Sequence, residues 1–121
     1  MSGFSFIADT NFLIDVHEGK EKTIPFLDGT AIISVITEIE LLGWNKIRVT
    51  YLKNLTDLIN DCIVIELNTE IKNIAIKIRQ KAKIKTPDAI IAATSIYLRL
   101  PLVTSDKGLK SVPDIELILL D

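Results

Sequence analysis

Asp9 stands directly behind the apolar run Phe4 to Ala8, and Asp106 follows the run Leu102-Val103-Thr104 by one residue. Asp88 comes just after Thr86-Pro87, where a helix can begin, and Glu38 and Glu40 follow a third apolar run, Ala31 to Ile33. Carboxylates gathered from such distant positions repel one another and lose hydration. A cluster of that kind persists where something positive sits in it, and hard divalent cations prefer oxygen ligands. His17 is the only histidine and Cys62 the only cysteine, so a zinc centre built from those side chains is excluded. Each acid also has a local reading. Asp9 can cap a helix, Asp88 can sit in a first helical turn, Asp106 in Ser-Asp-Lys-Gly can belong to a turn, and both glutamates can be solvated. Spacing alone leaves these readings open.

The elements that must position the acids are legible as alternating runs. Phe4 to Ala8, Ala31 to Ile33, Ile63 to Leu67, Leu102 to Thr104 and Ile115 to Leu119 are short, continuous and rich in β-branched residues, as buried parallel strands are. Helical spacing lies between them. Asp9, Thr10 or Asn11 can cap a helix to His17, and a short helix fits Glu21 to Leu27. Ser34 can cap a helix to about Asn45, with an apolar face of Val35, Ile36, Ile39 and Leu42. Leu41 and Trp44 lie opposite that face, where they pack on a following helix or meet a partner. Leu52, Leu55, Leu58, Ile59 and Cys62 mark another helix. Ile71, Ile74, Ala75, Ile78 and Ala82 form a stripe on a basic helix from near Thr69. Pro87 to Leu98 is read as a helix capped by Thr86, with Ala89, Ala92 and Ala93 as a smooth face. This alternation predicts an α/β fold, a three-layer α/β/α sandwich around a five-stranded parallel sheet. In such sheets ligands bind beyond the carboxyl ends of the strands, where the acids are expected.

The 121 residues fit one domain spanning 1–121. No repeat, linker or low-complexity tract interrupts them. A lone cysteine before Ile63-Val64-Ile65 reads as a buried small hydrophobe, and its isolation fits a reducing, cytoplasmic compartment. No signal peptide is recognised, and no apolar run approaches the roughly 18 residues of a membrane span. The formal charge is −2, which argues against a generally basic nucleic-acid surface; setting four clustered acids aside leaves +2. A haloacid-type phosphatase needs a second aspartate two residues after the first, and that position is Asn11.

The segments are more specific than the spacing. "FIADTNFLIDV", "ISVITEIELLG", "KTPDAIIAAT" and "LPLVTSDKGLKSV" occur in order across almost the whole chain. They resemble the four segments of PIN domains, and among these the VapC-type toxins. The resemblance implies metal-binding and catalytic roles for Asp9, Glu40, Asp88 and Asp106, and supporting polar roles for Asn11, Ser34, Thr37 and Thr104. Only the match to Thr-x-x-Glu-Leu selects Glu40 over Glu38, because on a helix the two point some 200° apart, on either side of the apolar face. The family often has an aromatic three residues after the last acid; here it is Leu109.

These roles imply a Mg²⁺- or Mn²⁺-dependent endoribonuclease that hydrolyses RNA phosphodiester bonds through a metal-activated water. The resemblance further implies a homodimer and a cognate antitoxin, a separate protein that masks the acidic site, with no role at a membrane. Two alternatives carry the same segments: an RNA-processing or DNA nuclease without a toxin role, and an inert PIN-like interaction module. Lys46, Arg48, Lys81, Lys83, Lys85 and Lys107 are basic residues with no binding role assigned at this level.

Overall fold

The computed structural model describes residues 3–121. The chain runs β1 (Ser5–Ala8), α1 (Thr10–His17), a 3₁₀ turn (Glu21–Phe26), β2 (Thr30–Ser34), α2 (Val35–Leu42) and α3 (Val49–Asn60). It continues through β3 (Ile63–Ile65), α4 (Thr69–Lys81), α5 (Thr86–Leu98), β4 (Leu102–Thr104), a second 3₁₀ turn (Lys107–Ser111) and β5 (Leu117–Leu119). The five strands make one parallel sheet in the order β3-β2-β1-β4-β5. The α/β fold expected from the strand runs is therefore present.

Strand alternation sorts the core into two layers. Phe6, Ala8, Ile33 and Val103 face α1 and α3, with Phe12, Leu13, Leu55 and Ile59 packed on them. Ile7, Ile32 and Leu102 face α4 and α5, where Ile71, Ile78 and Ile91 close the other side. Ala89, Ala92 and Ala93 are fully buried, so α5 lies close against its neighbours with no bulk to displace. Phe6, Phe12 and Phe26 stack edge to face with ring centres 5.5–5.6 Å apart and pin α1 to the sheet.

The details differ from expectation in three places. Strand lengths shift: the third stops at Ile65 and the last begins at Leu117, while the second extends to Thr30–Ser34. Thr86 is the first helical residue of α5 and not its cap; Lys85 holds the cap position without a side-chain bond. The helix read to about Asn45 ends at Leu42, closed by Gly43, where a Cβ would stand 2.5 Å from the Ile39 carbonyl oxygen. Its inward face also differs. Thr37 and Leu41, one turn apart, are buried, while Ile39 is 60% and Trp44 55% exposed. The physical reason is a polar contact that hydropathy does not count: Thr37 turns inward to meet α1.

The order of the strands has a functional consequence. From β1 the chain winds outward through β2 and β3, then returns to β1's other side as β4. The turns leaving β1 and β4 therefore diverge, and a crevice opens between them at the carboxyl edge. Asp9 and Asp106 occupy those two turns.

Candidate active site

Asp9 is the N-cap of α1. Its Oδ1 accepts from the Phe12 N–H at 2.8 Å, which satisfies one of the unpaired donors of the first turn. Its Oδ2 accepts from the Thr104 hydroxyl, reaching across from β4. Thr104 Oγ1 in turn accepts from the Asp106 N–H at 2.9 Å, and Asp106 Oδ1 accepts from the Gly108 N–H at 2.8 Å. A Cβ at Gly108 would lie 3.1 Å from that Asp106 oxygen. The first and last acids are thus joined through one buried threonine.

Glu40 enters from α2. The Thr10 hydroxyl donates to Glu40 Oε1 at 2.6 Å, and Thr10 and Thr37 hydroxyls lie 3.2 Å apart. A hydroxyl has one proton; with Thr10's given to the carboxylate, Thr37 supplies the proton of the second bond. That chain, Thr37 to Thr10 to Glu40, orients α2 so that Glu40 rather than Glu38 turns toward α1. Asp88 comes from the first turn of α5.

Two of the four acids, Asp9 and Asp88, respond to the charges of the others. Burial pushes the Asp9 carboxyl above the ordinary aspartate range. The Thr104 and Phe12 donors pull it back, and the charges of Asp88 and Asp106 push it up again. Asp88 is raised as well, first by its own burial, then by the charges of Asp106 and Glu40, with Lys85 offsetting part of the effect. Among the described residues, no three His, Cys, Asp or Glu side chains close into a ready-made metal cage. The donors are all oxygens, and Lys85 offsets only part of the repulsion felt by Asp88. That suits a hard cation which keeps several of its own waters and takes few carboxylates directly.

Of the supporting residues, Thr37 and Thr104 are buried and bonded as above, and Ser34 caps α2 by accepting from the Ile36 N–H at 3.1 Å. Asn11 is exposed, and its side chain makes no hydrogen bond among the described residues. His17 ends α1, away from Asp9, with its ring 4.5 Å from that of Tyr51.

Sequence reasoning missed two contributors. Thr10 was visible beside Asp9, but its partner Glu40 lies thirty positions away. The second is a network behind the site. Asp15 on α1 is buried and paired with Lys20 at 3.1 Å and Lys22 at 3.4 Å. Lys22 Nζ also donates to Ser105 Oγ at 2.9 Å and to the Asp121 carbonyl at 3.1 Å. The bonds close a ring: Asp9 caps α1, α1 carries Asp15, Asp15 holds Lys22, Lys22 holds Ser105, and the adjacent Thr104 returns to Asp9. No local pattern signals a pairing across 83 residues.

Known proteins share this fold. A chain of the VapBC2 complex from Rickettsia felis, bound to a promoter DNA fragment, superposes with a TM-score of 0.85 at 20% identity, covering 98% of this chain and 100% of its own. A chain of a toxin-antitoxin complex from Klebsiella pneumoniae gives 0.79 at 29% identity, covering 93% and 95%. A chain of the DNA-bound VapBC from Salmonella typhimurium gives 0.78 at 22%, covering 95% and 97%. No curated protein sequence matches. The model of the PIN domain matches residues 6–115, a span that holds β2, β3, β4 and all of β1 but its first residue, and with them Asp9, Glu40, Asp88 and Asp106. By that match the chain belongs to the PIN domain family.

Proposed function

We propose that this chain is a divalent-metal-dependent endoribonuclease and the toxin of a toxin-antitoxin pair. The observation that carries the reading is the placement of the acids at the switch point of the sheet: Thr104 joins Asp9 to Asp106, Thr10 beside Asp9 holds Glu40, and the charges of Asp106 and Glu40 reach Asp88. Family membership supports nuclease chemistry. The likeness to chains from VapBC and other toxin-antitoxin complexes supports a separate antitoxin as partner. A homodimer belongs to the same proposal.

Asp9, Glu40, Asp88 and Asp106 would hold Mg²⁺ or Mn²⁺, which when bound lowers the pKa of a water and neutralises charge on the phosphate. The chain's own groups do the positioning. Thr104 and the Phe12 N–H fix both oxygens of Asp9 and favour its ionised form. Thr10 fixes one oxygen of Glu40 and leaves the other free. Gly108 fixes one oxygen of Asp106. Hydrolysis then adds the water oxygen to phosphorus, breaks a phosphorus–oxygen bond of the RNA backbone and leaves the departing oxygen to take up a proton.

The test is cleavage of total cellular RNA by the purified protein with Mg²⁺, with Mn²⁺ and with chelator. Asp9→Asn keeps the acceptor for Phe12 and so keeps the cap, yet removes the charge. We expect its cleavage rate to fall by about a thousandfold, the loss of several kcal/mol of charge stabilisation. Undiminished metal-dependent cleavage by Asp9→Asn overturns the reading. Growth arrest on expression, relieved by the product of an adjacent reading frame, tests the toxin role separately.

A further inference from the structure

The acidic site poses a charge problem for its own substrate. Four ionised carboxylates around one divalent ion still leave two negative charges, and two ions only reach neutrality. An RNA strand brings a further negative charge with every phosphate. Cationic side chains beside the acids, and not spent on them, are needed to hold such a strand.

One segment supplies them. After α4 ends at Lys81 the backbone turns extended, with Ala82 at φ −135°, ψ 146° and Lys85 at φ −72°, ψ 153°. Side chains along it alternate. Ala82 and Ile84 are half-buried, and Ile84 packs on the α4–α5 core. Lys83 and Lys85 fall on the other side and are exposed. Arg79 Nε donates to the Ile84 carbonyl at 3.2 Å and ties the segment down. An open cavity of about 240 Å³ lies beside it, lined by Lys83, Lys85, Asp88, Asp106 and Gly108, with the apolar Ile84 and Leu109 at its wall. Two acids of the site and two lysines therefore face one space. Among the described residues neither lysine is in an ion pair, whereas Lys20, Lys22 and Lys53 all are.

We infer that Lys83 and Lys85 form a phosphate-binding rim that holds the backbone of single-stranded RNA against the carboxylates. Resting on the nuclease reading, this inference names the residues that grip the substrate. The two lysines sit two positions apart on an extended segment, roughly 7 Å along the chain, so they address successive backbone phosphates rather than one. The lysines touch phosphate and carry no sequence preference.

The experiment measures binding apart from cleavage. Fluorescent single-stranded RNA is titrated with the Asp9→Asn protein, and with the same protein carrying Lys83→Gln and Lys85→Gln, over a range of salt. We expect the double change to raise Kd about tenfold at low salt. The slope of log K against log salt should fall by about 1.4, the value for two phosphate contacts on a single strand. Lys83→Arg with Lys85→Arg should keep Kd, and Lys53→Gln, on the far α3, should change nothing. Calorimetric Mg²⁺ binding to the otherwise wild-type chain should not weaken with the two glutamines, because the Lys85 charge acts on Asp88 and opposes a cation there. An unchanged Kd and slope overturn the rim. So does duplex DNA of equal length bound as tightly and weakened as much, since the surface would then be a general polyanion contact. If the wild-type chain fails to cleave while the lysine effect on binding persists, the nuclease reading falls and the rim stands. If metal-dependent cleavage holds and the lysines are neutral, the reverse is true.

Discussion

Asp9 and Asp15 begin and nearly end the same two-turn helix, and they are almost equally buried, at 7% and 8% exposure. Their surroundings are opposite. Asp15 has two lysine ammonium groups within 3.4 Å. Asp9 has no cation; it has two hydrogen-bond donors and, beyond them, the charges of Asp88 and Asp106. A buried charge without a counter-ion is costly, and folding alone gives no reason to keep one. The pair at Asp15 is complete in the chain as it stands. The site at Asp9 is balanced only when something positive arrives. The contrast separates a residue that serves the fold from one that serves a ligand.

The strongest way to break that contrast is to remove the charge at each end. Lys22→Met strips Asp15 of one partner and Ser105 of its donor. We expect it to cost about 1–3 kcal/mol in urea unfolding, less than a fully buried pair because Lys22 is partly exposed. Asp9→Asn should cost less in metal-free buffer, since removing an unbalanced charge while keeping the cap offsets the loss of the acceptor for the Thr104 hydroxyl. Equal losses from both would show that Asp9 is structural and that the comparison misleads.

Thr104→Val sharpens the comparison from the other strand. It keeps the shape of a fully buried side chain while taking the donor from Asp9 Oδ2 and the acceptor from the Asp106 N–H. Residues that orient metal ligands typically contribute about 10–100-fold to metal affinity. We expect a loss of that order in calorimetric Mg²⁺ or Mn²⁺ binding. A variant that binds either ion as the parent does would remove Thr104 from the site.

The positions of Asp9 and Asp106 were legible because each follows a buried apolar run, and strand ends in a parallel sheet share an edge; the role of Thr104 came only from the family resemblance. The α2 helix was not legible in the same way. Hydropathy assigns Ile39 inward and Thr37 outward, and the structure does the reverse because the Thr37 hydroxyl has a buried partner in Thr10. That bond also turns Glu40 toward the site, a choice helical spacing alone left even. Lys83 and Lys85 carried no assigned role in the sequence; the extended backbone after Lys81 makes them one edge of an alternating segment. The tie from Lys22 to Ser105 had no signal, since nothing local distinguishes one surface lysine from another.

Proton competition gives a smaller effect with a definite sign. Asp9 and Asp88 are both held above the ordinary aspartate value, near 3.9. Protonation therefore favours the metal-free fold. That part of its stability is complete below the unfolded-state value and is lost as pH rises through the raised folded-state values. Divalent-ion binding runs the opposite way, because the ion displaces those protons. Apparent Mg²⁺ affinity should fall as the pH drops from neutral through the raised values, with protons released on binding there, as seen by calorimetry in buffers of different ionisation enthalpy. Affinity flat across that range, with no proton release, would mean that the raised carboxyls are not the ligands.

Lys20 provides the finest cut through the comparison. It approaches Asp15 more closely than Lys22 does, at 3.1 Å against 3.4 Å. Distance alone would make it the more important partner. Its side chain, however, is half exposed, and Asp15's field raises its pKa without any burial to amplify the interaction. Solvent screens such a pair, and holding a long side chain in one rotamer costs entropy. Lys22 is more enclosed and has two further oxygens to bind, one in the turn that carries Asp106. We therefore expect Lys20→Met to leave the urea midpoint within the scatter of the measurement and the cleavage rate unchanged, while Lys22→Met moves both. Equal shifts from the two lysines would show that Asp15 needs charge alone, and the ring through Ser105 would lose its role in holding the site.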